Sequence, residues 1–335
     1  MSSKSIKVVQ VGLGALGRRL TPFLLERTGL QVVGAVDVDP RVVGRDLGEI
    51  AKLPGRVGIE VAASIDDALS ETAADAAVLT TVSTLAQVRP QLDELVRRKL
   101  NVISSCEELC FPWQTAPQPS AEIDRGAKAA GVSVLGTGVN PGFLMDILPI
   151  SLTAISRAVR KITVLRYQDA RFRRLPFQQK IGAGLTLDQF EEKKAAGTLR
   201  HIGLTESMRM IASRIGWQLD RTEDVITPVI ADREVSSEYI TVKPGMARGV
   251  QQIGSGYVGG DERIRLEFRA ALGEQDVQDT VIVEGEPDMR FTIPGGVNGD
   301  VATCAILTNA IPVAVEAAPG LRTMADIPPV SWFST

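Results

Sequence analysis

The sequence predicts a doubly wound parallel α/β sheet joined to a second α+β domain built on an open sheet. Three observations carry this. Strand and helix patterns alternate through the first part of the chain, a glycine cluster sits where the first strand gives way to the first helix, and beyond Asp146 the text changes to long alternating strands. At 335 residues the chain exceeds the size at which one core usually stops growing, so two domains are expected. The boundaries read as 1–145 for the first domain and 146–298 for the second, with 299–335 returning to pack on the first.

The first strand is Ile6 to Val11 (IKVVQV), β-branched and apolar enough to be buried on both faces. GLGALG follows at once and opens a helix over 14–26, with Leu16, Leu20, Phe23 and Leu24 on its core side. Pro22 inside it removes a backbone donor, which costs about 3 kcal/mol in a regular helix and predicts a kink or local shift. A second apolar run, Gln31 to Val36, ends in Asp37, twenty positions past Gly17.

Strand, glycines, helix and acid in this order form a Rossmann fingerprint. Gly12 allows the tight turn, Gly14 lets backbone approach a pyrophosphate, and Gly17 lets helix and strand pack closely. Ala15 and Leu16 lie between them at the helix N-terminus, where unpaired N–H groups and the macrodipole favour phosphate. Asp37 is placed to meet the ribose hydroxyls of NAD and would repel a 2′-phosphate, so NAD is the expected cofactor. Arg41 and Arg45 nearby keep NADP open.

A third strand is expected over Val57–Val61, then a short helix from the cap Ser64 to Ser70, with Asp66 and Asp67 in its first turn. The fourth strand, Asp75 to Thr80, delivers Thr81, Val82, Ser83 and Thr84 to the carboxyl edge of the sheet, where doubly wound folds bind ligands. Thr81 and Ser83 are candidate cofactor contacts, and Thr84 is either another or only the cap of a helix over 85–99. The fifth strand, Asn101 to Ser104, leads into Glu107 and Glu108, paired acids at the strand end facing the crevice. Adjacent side chains diverge, so at most one is expected to serve chemistry, and solvated or capping acids are the alternative.

A helix over 120–130 and a sixth strand over 132–135 complete the alternation. Gly136 to Phe143 (GTGVNPGF) reads as a rigid loop in which Asn140 and backbone groups recognise the nicotinamide carboxamide, as an interdomain hinge, or as both. The second domain is expected to hold a helix to about Ser156, a strand over 162–167, helices over 187–196 and 206–215, and strands from Asp224 to Ile293. Its open sheet has edges that need cover, which predicts a homodimer. Asp300 is the candidate cap of a last, nearly all-apolar helix that must be buried.

Composition narrows the function classes. A net charge of −3 with 23% charged residues gives no footprint for nucleic acid or an anionic membrane. The most apolar stretch, Val301 to Ala318, is too short and too often interrupted to span a bilayer. Cys106, Cys110 and Cys304, with a single histidine, His201, make no zinc ligand set, so no metal is expected. Free thiols and an N-terminus that enters its first strand directly predict a cytoplasmic protein without a signal peptide.

Four separated motifs, EELCFPW from Glu107, GTGVNPGF from Gly136, HIGLTES from His201 and PGGVNGDVAT from Pro294 through PGLRTM, resemble the 2,4-diaminopentanoate dehydrogenases and related amine dehydrogenases, with a more distant likeness to dihydrodipicolinate reductase. The resemblance implies NAD(P)-dependent oxidative deamination of a primary amine to a ketone, or reductive amination in reverse. It also implies a glutamate after the fifth strand beside the substrate nitrogen. Cys106-Glu107-Glu108 is similar to the CEKP motif of inositol-dehydrogenase-type enzymes, whose lysine is catalytic, and Glu108 stands in the lysine's place. That ranks Glu108 above Glu107 as the catalytic acid. His201 is a candidate substrate contact, and Phe143, Tyr167, Phe172 and Phe177 are candidates for an apolar pocket wall. The run Arg171, Arg173, Arg174 departs from the family pattern and reads either as a partner for a substrate carboxylate or as solvated charge. The alternatives in function are an imine, enamine or ketone reductase and a non-catalytic NAD-binding sensor.

Overall fold

The computed structural model describes residues 5–334, which fall into two compact units, one running to Phe143 and resuming at Asn298, the other Leu144–Val297. In unit 1, β1 (Ile6–Val11) is buried from Val8 onward. Gln10 lies in that buried run, its Nε2 donating to the Gly17 carbonyl at 2.6 Å and its Oε1 accepting from the Thr21 hydroxyl at 3.1 Å. The side chain thereby ties β1 to α1 (Ala15–Leu25), which runs on through Pro22 rather than ending there. Then come β2 (Leu30–Val36), α2 (Leu47–Ile50) and β3 (Val61–Ala62).

The third strand is two residues long, not the five expected over 57–61. The preceding segment is drawn elsewhere: the buried Asp46 carboxylate accepts N–H bonds from Val57 and Gly58 as well as from Gly48 at the start of α2. Next are α3 (Ile65–Ala68), capped by Ser64, β4 (Ala76–Leu79), α4 (Leu85–Arg97), β5 (Asn101–Ser104), α5 (Pro117–Ala130) and β6 (Ser133–Gly136). Helix α5 begins at a proline, which suits a first-turn position with no hydrogen bond to lose.

Unit 2 opens with α6 (Ile147–Leu152), whose cap Asp146 also accepts the Ser207 hydroxyl at 2.8 Å. There follow β7 (Ala158–Asp169), α7 (Leu175–Lys180), α8 (Leu187–Ala195), α9 (Leu204–Ile215), β8 (Arg221–Ile230), the small hairpin β9 (Val235–Ser236) and β10 (Thr241–Val242), β11 (Ala247–Val258), β12 (Asp261–Ala271), β13 (Gln278–Glu286) and β14 (Met289–Pro294). Six strands form a mixed sheet in the order β14-β13-β7-β12-β11-β8, in which only β7 and β12 pair in parallel. Period-two alternation gives it one dry face, with Ile162, Val164, Ile264, Leu266 and Phe268 buried.

The chain then returns to unit 1 as α10 (Gly299–Glu316) and β15 (Gly320–Arg322). The helix packs on α1 and across β5 and β6. Its cap is Asn298, which accepts from the N–H groups of Asp300 and Val301, whereas Asp300, expected as the cap, lies in the first turn and faces Arg19 at 3.4 Å. The unit 1 sheet reads β15-β6-β5-β4-β1-β2-β3, all parallel, the order of a doubly wound dinucleotide-binding fold. No helix among the described residues is long and apolar enough to cross a membrane.

Candidate active site

At the carboxyl edge of β1 the glycines are held by contacts that exclude any side chain. A Cβ on Gly12, whose φ is +91°, would meet Thr81 Cγ2 at 2.7 Å and the Thr80 carbonyl at 2.8 Å. One on Gly17 would lie 1.9 Å from the Gly12 carbonyl. Gly14 differs: it is exposed, nothing lies within 4 Å of where its Cβ would be, and it caps α1 without a side-chain bond. The first intrahelical bond runs from Arg18 N–H to the Gly14 carbonyl, so the amides of Ala15, Leu16 and Gly17 precede the ladder. This open, uncapped N-terminus fits a pyrophosphate.

Asp37 is half-buried beside it. One oxygen accepts the Leu13 N–H at 2.6 Å and the other the Asp39 N–H at 2.8 Å, so the acid ties the end of β2 to the glycine turn. The remaining lone pairs of both oxygens can accept ribose hydroxyls. Thr81 is exposed next to Gly12, with its hydroxyl bonded to Gln91 at 2.6 Å. Ser83 is half-buried, and its carbonyl accepts the Glu108 N–H at 3.3 Å.

The paired acids begin a 3-10 turn, Glu107–Leu109, directly after β5. Glu108 Oε2 accepts the Leu85 N–H at 2.7 Å, the first amide of α4. A carboxylate there satisfies an orphan donor and meets the positive end of the helix dipole. Thr84, the residue at the cap position, makes no cap bond and instead donates to Gln87 at 2.8 Å. Successive residues of a 3-10 turn diverge by about 120°, so Glu107 leaves the turn in another direction.

The turn is seated by a glycine whose role the sequence does not reveal. A Cβ on Gly136 would lie 2.6 to 2.7 Å from the backbone of Leu109 and Cys110, so only glycine lets β6 end against the turn that carries Glu107. The loop holding half-buried Asn140 and Phe143 is folded on itself, with the Gly142 Cβ position 2.5 Å from Gly138 backbone. Thr303 of α10 anchors it by accepting the Val139 N–H at 3.3 Å. Such a link has no local signal, because its two ends are 164 positions apart.

Unit 2 separates the side chains expected to line a pocket. The His201 ring stacks on Phe268 at 4.8 Å, and its peptide is clamped by buried Gln252, which accepts its N–H at 2.8 Å and donates to its carbonyl at 3.0 Å. Phe268 belongs to the dry face of the sheet, whereas Tyr167 projects from the other face, donating to Glu267 at 2.6 Å beneath the Arg269 guanidinium. Burial and the Glu267 carboxylate push the Tyr167 phenol above its ordinary range. Tyr167 therefore shares no wall with His201, and Phe172, 82% exposed, walls nothing within its unit.

The arginine run is not simple solvated charge. Arg171 donates from Nε and Nη2 to a single oxygen of Asp169, and Arg173 bonds to Gln168 at 3.0 Å while stacking on Phe177 at 4.0 Å. Arg174 is exposed. All three cysteines are free and buried, and burial raises Cys106 and Cys304 to about 12, which makes them poor nucleophiles. No cluster of three or more His, Cys, Asp or Glu among the described residues is arranged to hold a metal.

Comparison with known proteins agrees with this architecture. Residues 143–333 match the family model described as the 2,4-diaminopentanoate dehydrogenase C-terminal domain, and residues 3–106 match one described as a CoA binding domain. A 2,4-diaminopentanoate dehydrogenase from Acetoanaerobium sticklandii is 34% identical over 97% of this chain and 94% of its own. An amine dehydrogenase from Streptomyces virginiae is 25% identical over 96% of each. The solved amine dehydrogenase from Mycobacterium smegmatis superposes with a TM-score of 0.85 at 24% identity, covering 98% of this chain and 97% of that one. The WlbA dehydrogenase from Bordetella pertussis, solved with NADH and UDP-GlcNAcA, shares the fold at a TM-score of 0.55 and 13% identity, over 96% and 93%. With a family model covering more than half of its length and a relative aligned nearly end to end, the chain belongs to the 2,4-diaminopentanoate dehydrogenase family.

Proposed function

We propose that the protein is an NAD(P)-dependent amine dehydrogenase in which Glu107 carries protons and Glu108 positions it. The observation that supports this division of roles is the 2.7 Å bond from Leu85 N–H to Glu108, which seats that carboxylate at the first turn of α4. Gly12, Gly14, Ala15, Leu16, Gly17 and Asp37 hold the dinucleotide, with Thr81, Ser83 and Asn140 nearer its nicotinamide end. His201 and Phe143 are the substrate-binding candidates. NAD, when bound, supplies the hydride acceptor.

In deamination the amine's α C–H bond breaks with its electron pair transferred as hydride, and nitrogen becomes an iminium. Water adds to that C=N bond, and ammonia leaves to give the ketone. A carboxylate at Glu107 takes the proton from the substrate ammonium, stabilises the iminium charge, and moves protons during carbinolamine collapse. The reverse direction is reductive amination. The first candidate substrate is 2,4-diaminopentanoate, the amine named for the relative of highest identity reported above, and simple aliphatic amines are the second.

We further assign a homodimer, supported by the sheet face carrying Tyr167, Arg265, Glu267 and Arg269, which no helix of unit 2 makes dry, and a cytoplasmic location, supported by three free thiols. A monomer in sedimentation would remove the first.

Glu107→Gln should lower turnover by roughly 10² to 10⁴-fold, the usual effect of losing a general acid/base. Glu108→Gln keeps an acceptor for Leu85 and should lose far less. The assay is NADH consumption with a ketone panel, with and without ammonium. Near-normal turnover in Glu107→Gln would sink the assignment, and alcohol formation indifferent to ammonium would make the enzyme a ketone reductase.

A further inference from the structure

Past β2, the chain binds its own charges in a fixed sequence. Asp37 holds the Asp39 N–H at 2.8 Å, and Asp39 in turn holds Arg41. Asp39 Oδ1 accepts the Arg41 backbone N–H and Nε, both at 2.9 Å, while Oδ2 accepts Nη2 at 2.7 Å. The Nε/Nη2 edge of the guanidinium is the fork by which an arginine grips a phosphate, and here it is closed on a carboxylate. Arg41 is 89% exposed on its side chain. Val38 beside it is 87% exposed, an apolar surface on the rim just past Asp37. The other basic groups of this rim are also engaged: Arg18 Nε bonds the Leu13 carbonyl at 2.7 Å, and Arg45 lies 3.9 Å from Glu49.

Resting on the NAD(P) reading above, we infer that Asp39 sets the cofactor preference by withholding Arg41 from a 2′-phosphate, so that NAD is bound and NADP is refused. The phosphate would bring up to two negative charges to a rim that already holds Asp37 and Asp39, and the arginine that could offset them has its fork occupied. Arg41 holds the Asp39 carboxyl down at about 2, so that carboxylate stays charged at any working pH. An ion pair this exposed is weak, however, and holds Arg41 only because the competing carboxylate is two residues away. Removing the carboxylate should convert a repelling rim into a gripping one without rebuilding the site.

The test is direct titration of NADH and NADPH fluorescence, which needs no turnover. The wild-type protein should bind NADH at least about tenfold more tightly than NADPH. Asp39→Ser should tighten NADPH by about tenfold or more while moving NADH by less than about threefold, and the gain should fade as salt rises. Asp39→Asn keeps the acceptor for the Arg41 N–H, drops the charge and should act in the same direction, which guards against a local unfolding of the turn. Asp39→Ser with Arg41→Ala should lose the gain. Equal wild-type affinities, no gain in both single variants, or a gain that survives loss of Arg41 would each overturn the inference. Failure of amine turnover with intact NADH binding would strike the reaction assignment alone, whereas no NADH binding by the wild type would strike the cofactor reading and this inference together.

Discussion

The two sheets bury polar groups in opposite ways. In unit 1, apart from Asp46, the buried polar side chains of the sheet and its helices are short or neutral and bond mainly to backbone: Thr80 to the Gly12 carbonyl, Ser104 to the Cys106 amide, Ser133 to the Ala314 carbonyl. In unit 2 the central strand β7 buries Arg166 against Asp279 of β13 at 3.1 Å, and the same pair holds both backbone groups of Val297. Burial works against both charges, pushing the Asp279 carboxyl up and the Arg166 guanidinium down from their ordinary values. A parallel sheet built from successive βα units shapes its ligand edge with backbone placed by glycine. The mixed sheet fixes its edge with a charged pair 113 positions apart.

The contrast breaks most severely at the ion pair. Arg166→Met leaves Asp279 buried without its counter-charge and should cost about 3–5 kcal/mol in urea denaturation. Adding Asp279→Leu should return most of that, since an apolar pair of similar size is often neutral or better. If the double variant is no more stable than the single one, the pair does more for unit 2 than hold charge.

Unit 1 should fail through backbone. Gly17→Ala drives a methyl group into the Gly12 carbonyl, an overpacking worth about 1–3 kcal/mol, and NADH binding should be lost with it. Retained NADH affinity would show that the turn can relax, and the account of the cradle would fall. The smallest effect sharpens the helix that returns to unit 1: Asn298→Ala should cost about 1 kcal/mol and Asp300→Ala less than half of that. Equal losses would restore Asp300 as the cap.

How much of this was legible follows the same division. The run from β1 through α1 to Asp37 could be read because each part acts on neighbours a few positions away. The dry face of unit 2 was equally legible from period two, but its partners were not. Tyr167 and His201 look alike as pocket candidates, but the pairing of β7 with β12 puts Tyr167 on the face opposite Phe268, the ring on which His201 stacks. The third strand was read too long because the pull of Asp46 on residues 57 and 58 has no local pattern.

Sequence by itself determined the fold class, the cofactor fingerprint and the presence of an acid pair where chemistry belongs, because periodicity, glycine geometry and spacing are short-range properties. The division of roles proposed for the two acids rests on three dimensions. Glu107 and Glu108 are the same residue type side by side, and what distinguishes them is an amide at Leu85, 23 positions away, brought under one carboxylate by the packing of β4 against β5.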